Sequence, residues 1–203
     1  MIIKVCGMRE ESNVREVEQL ETDWMGFIFY PKSPRYVGER LAYIPERVKR
    51  VGVFVNEDID RILTLAENNR LDILQLHGEE SSDDCRVLKE KGFLVIKALG
   101  INSEKPFPSE LTERYEESCD YFLFDTRTSL YGGSGKKFEW KILADYRGER
   151  PFLLSGGISP EDVEEVKAFS HPRCIGIDLN SGFEVSPALK DVQLLQRFIG
   201  VFR

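Results

Sequence analysis

The sequence predicts a (β/α)8 (TIM) barrel, an α/β fold built as a single domain over residues 1–203. Three observations point there. Eight short apolar runs, most of them rich in β-forming residues, are spread along the whole chain. Their starts recur every roughly 20 to 30 residues, the length of a strand, a helix and their loops. Most of the runs are continuously apolar rather than alternating, as expected of parallel strands covered on both faces. A doubly wound open sheet is the alternative. It would want a Gly-rich turn after its first strand, and Cys6-Gly7-Met8-Arg9 is not one.

The expected strands are IIKV (2–5), MGFIFY (25–30), VGVFV (51–55), DILQLH (72–77), LVIKAL (94–99), YFLFD (121–125), PFLLS (151–155) and CIGIDL (174–179). Helical spacing appears between them. Over 10–21, Val14, Val17 and Leu20 fall on one face; over 57–68, Ile59, Ile62, Leu63 and Ala66 do. Over 80–91, Cys85 and Leu88 are three apart, which makes Cys85 a core residue of a helix. Ser159-Pro160-Glu161-Asp162 has the order of a helix start: a cap, then proline, then acids for the dipole. The stretch 101–114 is irregular and shortens the fifth helix, and a last helix is expected over 188–202. No repeat, low-complexity tract or linker divides the chain.

The bulk properties narrow the classes of function. A chain of 203 residues buries a sizeable core without staples. The net charge of −7 argues against a nucleic-acid surface, which would want a basic patch. Cys6, Cys85, Cys119 and Cys174 are widely spaced with no CxxC pair, the usage of a reduced, cytoplasmic protein. No secretory leader pattern is visible, and no apolar run approaches the roughly 18 residues of a membrane span. The two histidines, His77 and His171, are far apart, and no HExxH or Cys/His metal motif occurs.

In a barrel, reactive groups sit where strands end and βα loops begin. Read at those corners, the chain offers Cys6 after the first run, Lys32 and Arg35 in the proline-rich PKSPRYV loop after the second, and His77 after the fourth. Asp125 ends the sixth run, LSGGIS follows the seventh and DLNSGFE the eighth. Each has a plain structural alternative. A lone cysteine is usually a small buried hydrophobe. Asp125 could cap the next segment, Arg35 could be a solvated loop charge, and His77 could satisfy a turn. These alternatives weaken together, because all four residues fall on one face of the expected barrel. The amides of Gly156 and Gly157 could cradle a phosphate, and Asn180-Ser181-Gly182 offers a second turn one unit later, where phosphate sites recur in this fold. GGSGKK resembles part of a P-loop but has Lys137 where Ser or Thr is needed. It reads better as a mobile, glycine-hinged loop over the site.

The segments KVCGM, GFIFYPKSPRYV, VGVFVNE, LQLHGEE, VIKALG, LFDTRTSLYGGSGKKFEW, LSGGISPEDV and GIDLNSGFE together resemble the phosphoribosylanthranilate isomerases of tryptophan biosynthesis. The resemblance runs in order through all eight expected strands and implies the same barrel. It implies a cofactor-free, metal-free Amadori rearrangement of phosphoribosyl anthranilate, a small-molecule substrate. Cys6 is then the general base and Asp125 the general acid. Arg35 holds the anthranilate carboxylate, Asp178 positions sugar hydroxyls, and His77 and Gln75 support. Gly156, Gly157, Asn180, Ser181 and Gly182 hold the phosphate. Many relatives read DVSSG where this chain reads DLNSG, and Met8 stands where a threonine or small residue is common.

The chemistry sets a requirement. An unperturbed thiol, with a pKa of about 8.5, is only a few per cent thiolate at neutral pH. An unperturbed aspartic acid, with a pKa of about 3.9, is mostly ionised there. Acid and base must therefore sit in different surroundings. Related isomerases of histidine biosynthesis run the same rearrangement with a pair of aspartates; Cys6 stands where the first would be. A thiol redox protein would want a resolving cysteine near Cys6, and none lies near it in sequence. The sequence leaves the oligomeric state, monomer or homodimer, open.

Overall fold

The structure is a computed structural model that describes residues 1–102, 104–126 and 138–203. The GGSGKK loop expected to move over the site lies outside the described residues. Eight parallel strands close into a barrel in sequence order. They are β1 (Ile2–Val5), β2 (Trp24–Ile28), β3 (Lys49–Phe54), β4 (Ile73–Leu76), β5 (Leu94–Ile101), β6 (Tyr121–Thr126), β7 (Phe152–Leu154) and β8 (Cys174–Leu179). All eight expected strands form, with ends displaced by at most two residues. Closure is made by β1 against β8, with Lys4 opposite Asp178 and Val5 opposite Leu179.

Side chains alternate along each strand, so every second residue faces the barrel axis. Ile3 and Val5, Leu74 and Leu76, Phe122 and Phe124, Phe152 and Leu154, and Ile177 and Leu179 belong to the large apolar cluster around the barrel. Trp24, Val51, Ile73, Ile96, Ala98, Leu123 and Leu153 form a second, smaller cluster inside it. The residues in phase with this inner set at the C-terminal strand ends are Gln75 and His77, Asp125, Ser155 and Asp178. On β1 the inward phase falls on Lys4 and Cys6. The barrel is therefore filled with apolar side chains low down and polar ones at its C-terminal rim.

Six α-helices are described: α1 (Glu11–Glu18), α2 (Ile59–Asn68), α3 (Ser82–Glu90), α4 (Ser109–Tyr115), α5 (Val163–Ala168) and α6 (Val192–Ile199). Cys85 is fully buried on α3, as its spacing implies. On α2 the buried residues are Ile62, Leu65 and Ala66, while Ile59 and Leu63 pack at the margin. The strand–helix alternation is incomplete. Residues 29–48 contain no helix, because Pro31, Pro34, Pro45 and Gly38 interrupt any helical run. That long loop is tied down instead by Glu18, which accepts from Tyr43 Oη at 2.8 Å and from the Arg47 amide at 2.8 Å. Asn69 secures its middle through the Leu41 amide at 2.8 Å. Between β6 and β7 the described residues form only a 3-10 segment, Trp140–Asp145.

Two helix boundaries also differ from expectation. Ser159 caps as predicted, sharing Asp162 Oδ2 between its amide (2.8 Å) and hydroxyl (2.9 Å), but Pro160–Asp162 is a 3-10 turn before α5. The last helix begins at Val192 rather than Ala188, with Asp191 accepting from the Leu194 amide at 2.9 Å. The preceding residues form a hairpin of β9 (Glu184–Ser186) and β10 (Leu189–Lys190). Lys190 is held extended by a reciprocal pair of hydrogen bonds with Asn13 on α1, of 2.8 and 3.0 Å. No described helix is long and apolar enough to cross a membrane.

One buried ion pair supports the rim from outside. Lys97 on β5 lies between the inward Ile96 and Ala98, so it faces outward. Its ammonium donates to Glu80 Oε2 (2.8 Å), to the Gly78 carbonyl (2.6 Å) and to the Leu76 carbonyl (3.3 Å). Glu80 also accepts from the amides of Asn56 (2.8 Å) and Gly78 (2.9 Å). The loops after β3 and β4, and hence His77, hang on this pair. Removing one partner of a buried pair strands the other charge at a cost of about 3–5 kcal/mol. Lys97→Met is expected to lose stability of that order in urea unfolding, and Lys97→Met with Glu80→Gln to recover part of it. An unchanged midpoint in the single variant would contradict the arrangement.

Candidate active site

Cys6 follows β1 directly and continues its pairing, with its amide on the Leu179 carbonyl at 2.8 Å. Two glycines shape its surroundings. Gly26 on β2 lies beside the thiol: a Cβ there would sit 2.6 Å from Cys6 Sγ. Gly7 adopts a φ of +75°, and a Cβ on it would stand 2.6 Å from Arg35 Cδ and 2.7 Å from Asn180 Oδ1. Gly26 thus admits the thiol, and Gly7 lets the loops after β2 and β8 close over the end of β1.

Below Cys6, Lys4 is fully buried, and its ammonium donates to Asp178 Oδ1 at 2.8 Å. The other Asp178 oxygen accepts from Ser155 Oγ at a long 3.4 Å. Across the rim, Asp125 Oδ1 accepts from the Thr126 amide at 2.7 Å, and Oδ2 lies 3.4 Å from His77 Nε2. Gln75 Nε2 lies 2.9 Å from His77 Nδ1. With the amide donating, Nδ1 accepts and Nε2 carries the hydrogen toward Asp125. Among the described residues, Gln75 Oε1 is buried without a hydrogen-bond partner.

Arg35 is buried, and its Nε–Nη2 edge grips Glu184 in a fork, at 2.9 Å to Oε1 and 2.7 Å to Oε2. Glu184 Oε1 also accepts from Lys190 Nζ at 2.6 Å, and Lys190 reaches Asn180 Oδ1 at 2.8 Å. The expected glycine turns lie next to each other. Gly156 and Gly157 have φ of +89° and +72°, and among the described residues neither amide donates a hydrogen bond. A Cβ on Gly182 would lie 2.3 Å from the Ile158 carbonyl oxygen, so the turn at Asn180, Ser181 and Gly182 packs onto the loop after β7.

These surroundings set the charges. Burial pushes the Cys6 thiol above its ordinary pKa; Lys4 and Lys190 pull it back, and Asp178 adds to the rise. Burial opposes the Lys4 charge, but Asp178 and Cys6 hold its pKa above the usual lysine value. Burial raises the Asp178 carboxyl, against the pull of Lys4. Glu184 is desolvated too, yet Arg35 and Lys190 keep it below the ordinary glutamate value. Lys190 itself is lowered, chiefly by burial.

All the sequence-derived candidates therefore gather at one rim, on β1, β4, β6, β8 and the loops after β2, β7 and β8. Sequence reasoning passed over Lys4, Ser155, Glu184 and Lys190. Lys4 carried a signal, as a charge inside an apolar strand run in phase with Cys6. Glu184 and Lys190 carried none, because only the closure of the barrel brings Arg35 to them.

These features define the class: a (β/α)8 barrel whose polar groups collect at the C-terminal rim, where barrel enzymes carry their active sites. Known proteins narrow it. The family described as N-(5'phosphoribosyl)anthranilate (PRA) isomerase matches residues 3–201. A relative named N-(5'-phosphoribosyl)anthranilate isomerase, from Parabacteroides distasonis, is 54% identical over 98% of this chain and 92% of its own length. The crystal structure of phosphoribosyl anthranilate isomerase from Thermus thermophilus is similar at a TM-score of 0.86 and 30% identity, covering 100% of this chain and 98% of that one. Another, solved in complex with reduced 1-(o-carboxyphenylamino)-1-deoxyribulose 5-phosphate, gives 0.81 and 34%, covering 98% and 97%. The chain belongs to the N-(5'-phosphoribosyl)anthranilate isomerase family.

The two glycines allow a test of the geometry. Gly26→Ala presses a methyl group on the thiol, and kcat is expected to fall at least tenfold with little change in KM. Gly7→Ala displaces Arg35 and Asn180 and should act mainly on KM. Steady-state kinetics on both variants checks this, and identical effects on kcat and KM in the two would contradict it.

Proposed function

We propose that this chain catalyses the Amadori rearrangement of N-(5'-phosphoribosyl)anthranilate to 1-(2-carboxyphenylamino)-1-deoxyribulose 5-phosphate, a step of tryptophan biosynthesis. The observation that carries the proposal is the inward placement of Cys6 and Asp125 on different strands of one rim, in a chain of this family. The solved relative that holds the reduced product analogue supports the choice of substrate.

The reaction follows from what each group can do. The protonated Asp125 carboxyl gives its proton to the ribose ring oxygen as the C1–O bond breaks. The nitrogen lone pair moves onto C1 and forms an iminium ion, which serves as the electron sink that a cofactor provides elsewhere. The Cys6 thiolate removes the proton from C2, and that C–H electron pair becomes the C1–C2 double bond of an enaminol. The thiol then returns a proton to C1 while the C2 hydroxyl proton passes to the Asp125 carboxylate. The ketone forms, and both groups regain their starting states. His77, 3.4 Å from Asp125 Oδ2, steadies the carboxylate in between.

Binding is divided among the remaining residues. Among the described residues, the Nη1 side of the Arg35 guanidinium makes no hydrogen bond, and it is assigned to the anthranilate carboxylate. The unpaired Gly156 and Gly157 amides, with Asn180, Ser181 and Gly182, take the phosphate. Asp178 orients the sugar hydroxyls.

The direct test is the loss of anthranilate-adduct fluorescence with purified protein; no turnover would overturn the proposal. Cys6→Ser and Asp125→Asn are each expected to lower kcat by about 10²–10⁴-fold, with much smaller changes in KM. Near-native kcat in either variant would remove that residue from its role. Arg35→Ala should raise KM by about tenfold or more, since charge-assisted hydrogen bonds contribute roughly 1.5–3 kcal/mol. An unchanged KM would place the carboxylate elsewhere.

A further inference from the structure

A lysine sealed inside the barrel, away from the substrate mouth, has no part in the chemistry above. Lys4 is 0% exposed, lies on β1 two residues before Cys6 and shares its inward phase. Its ammonium donates to Asp178 at 2.8 Å, and its charge favours the Cys6 thiolate. A fully buried lysine beside a single carboxylate gains little over an apolar pair of the same volume, so its presence asks for another reason.

The charge count supplies one. Around Cys6 lie three buried cations, Lys4, Lys190 and Arg35, and two buried carboxylates, Asp178 and Glu184. Further across the rim are Asp125 and His77, which face Asp178. In the acid form that the proposed reaction assigns to Asp125, the five ionised groups beside Cys6 leave one uncompensated positive charge until Cys6 ionises. We infer that Lys4 is a positioning residue for the reaction: an ammonium fixed by Asp178 that offsets part of what burial costs the Cys6 thiolate, without touching substrate. The inference rests on Cys6 being the base. Protons and charge balance, because the thiol loses its proton to solvent before substrate binds and carries the C2 proton during turnover.

The sign of the effect separates this role from a structural one. Burial and Asp178 raise the Cys6 pKa while Lys4 lowers it, so the thiolate fraction and the activity grow as pH rises through that pKa. The readout is the rate of Cys6 alkylation by iodoacetamide against pH, mapped by peptide mass spectrometry on the free protein. The buried Cys85 and Cys119, both pushed up to about 12, are poor competitors, and peptide mapping separates Cys174. Lys4→Met is expected to slow alkylation near neutral pH at least tenfold, a shift of one pKa unit or more, and to move the rising limb of kcat/KM the same way with little change in KM. Asp178→Asn is expected to shift the alkylation profile in the opposite direction. A structural role would loosen the site and move both variants alike. An unchanged or lowered midpoint in folded Lys4→Met would overturn the inference. Should that variant fail to fold, an unchanged or raised midpoint in Asp178→Asn would do the same. Near-native kcat in Cys6→Ser would instead remove the base and leave the alkylation result standing as electrostatics alone.

Discussion

The Lys4–Asp178 ion pair crosses the seam where the barrel closes, since the two residues are partners in the register of β1 with β8. Everything at the rim is arranged about that seam. A buried pair of this kind adds little net stability, but it is intolerant of losing one member. It penalises any closing register that would separate the two charges. A slip of one residue would turn every side chain of β1 to the other face, taking Cys6 out of the barrel and Ile3 or Val5 into it. The pair therefore ties the topology of the closed sheet to the orientation of the Cys6 thiol.

A second layer of charges stands on the first. Arg35, Glu184 and Lys190 come from the loop after β2 and the hairpin after β8, and they meet over Gly7 at the end of β1. Below them the barrel axis is filled by Trp24, Val51, Ile73, Ile96 and Leu123. That dry plug lowers the local polarisability under the rim, so each fixed charge acts strongly on its neighbours. It also explains the direction of the Cys6, Asp178 and Lys190 shifts, in each of which burial is the largest influence.

Most of the fold was legible in the chain. The eight strands were readable because a parallel strand covered on both faces must be apolar nearly throughout, and such runs stand out from helical spacing. Cys85 was readable from helical spacing instead, three positions before Leu88. Pro31 and Pro34 mark the PKSPRYV loop in the sequence, whereas the eightfold strand–helix pattern implies a helix before the third strand; Gly38 and Pro45 help to leave 29–48 without one. The hairpin in place of the start of α6 had no local sign, because Lys190 is held extended by Asn13, 177 positions away in sequence.

By itself the sequence determined which residue types stand at the strand ends: a thiol after β1, a histidine after β4, a carboxylate on β6 and glycine turns after β7 and β8. These follow from strand periodicity, which is local. Only the tertiary structure decided what surrounds them. Cys6 has Gly26 beside it on β2, it stands over a buried ammonium held by Asp178, and Arg35 finds Glu184, 149 positions on. The physical reason is that charge–charge and hydrogen-bond energies depend on separation in space and on burial. Barrel closure sets both, by bringing the first strand against the last.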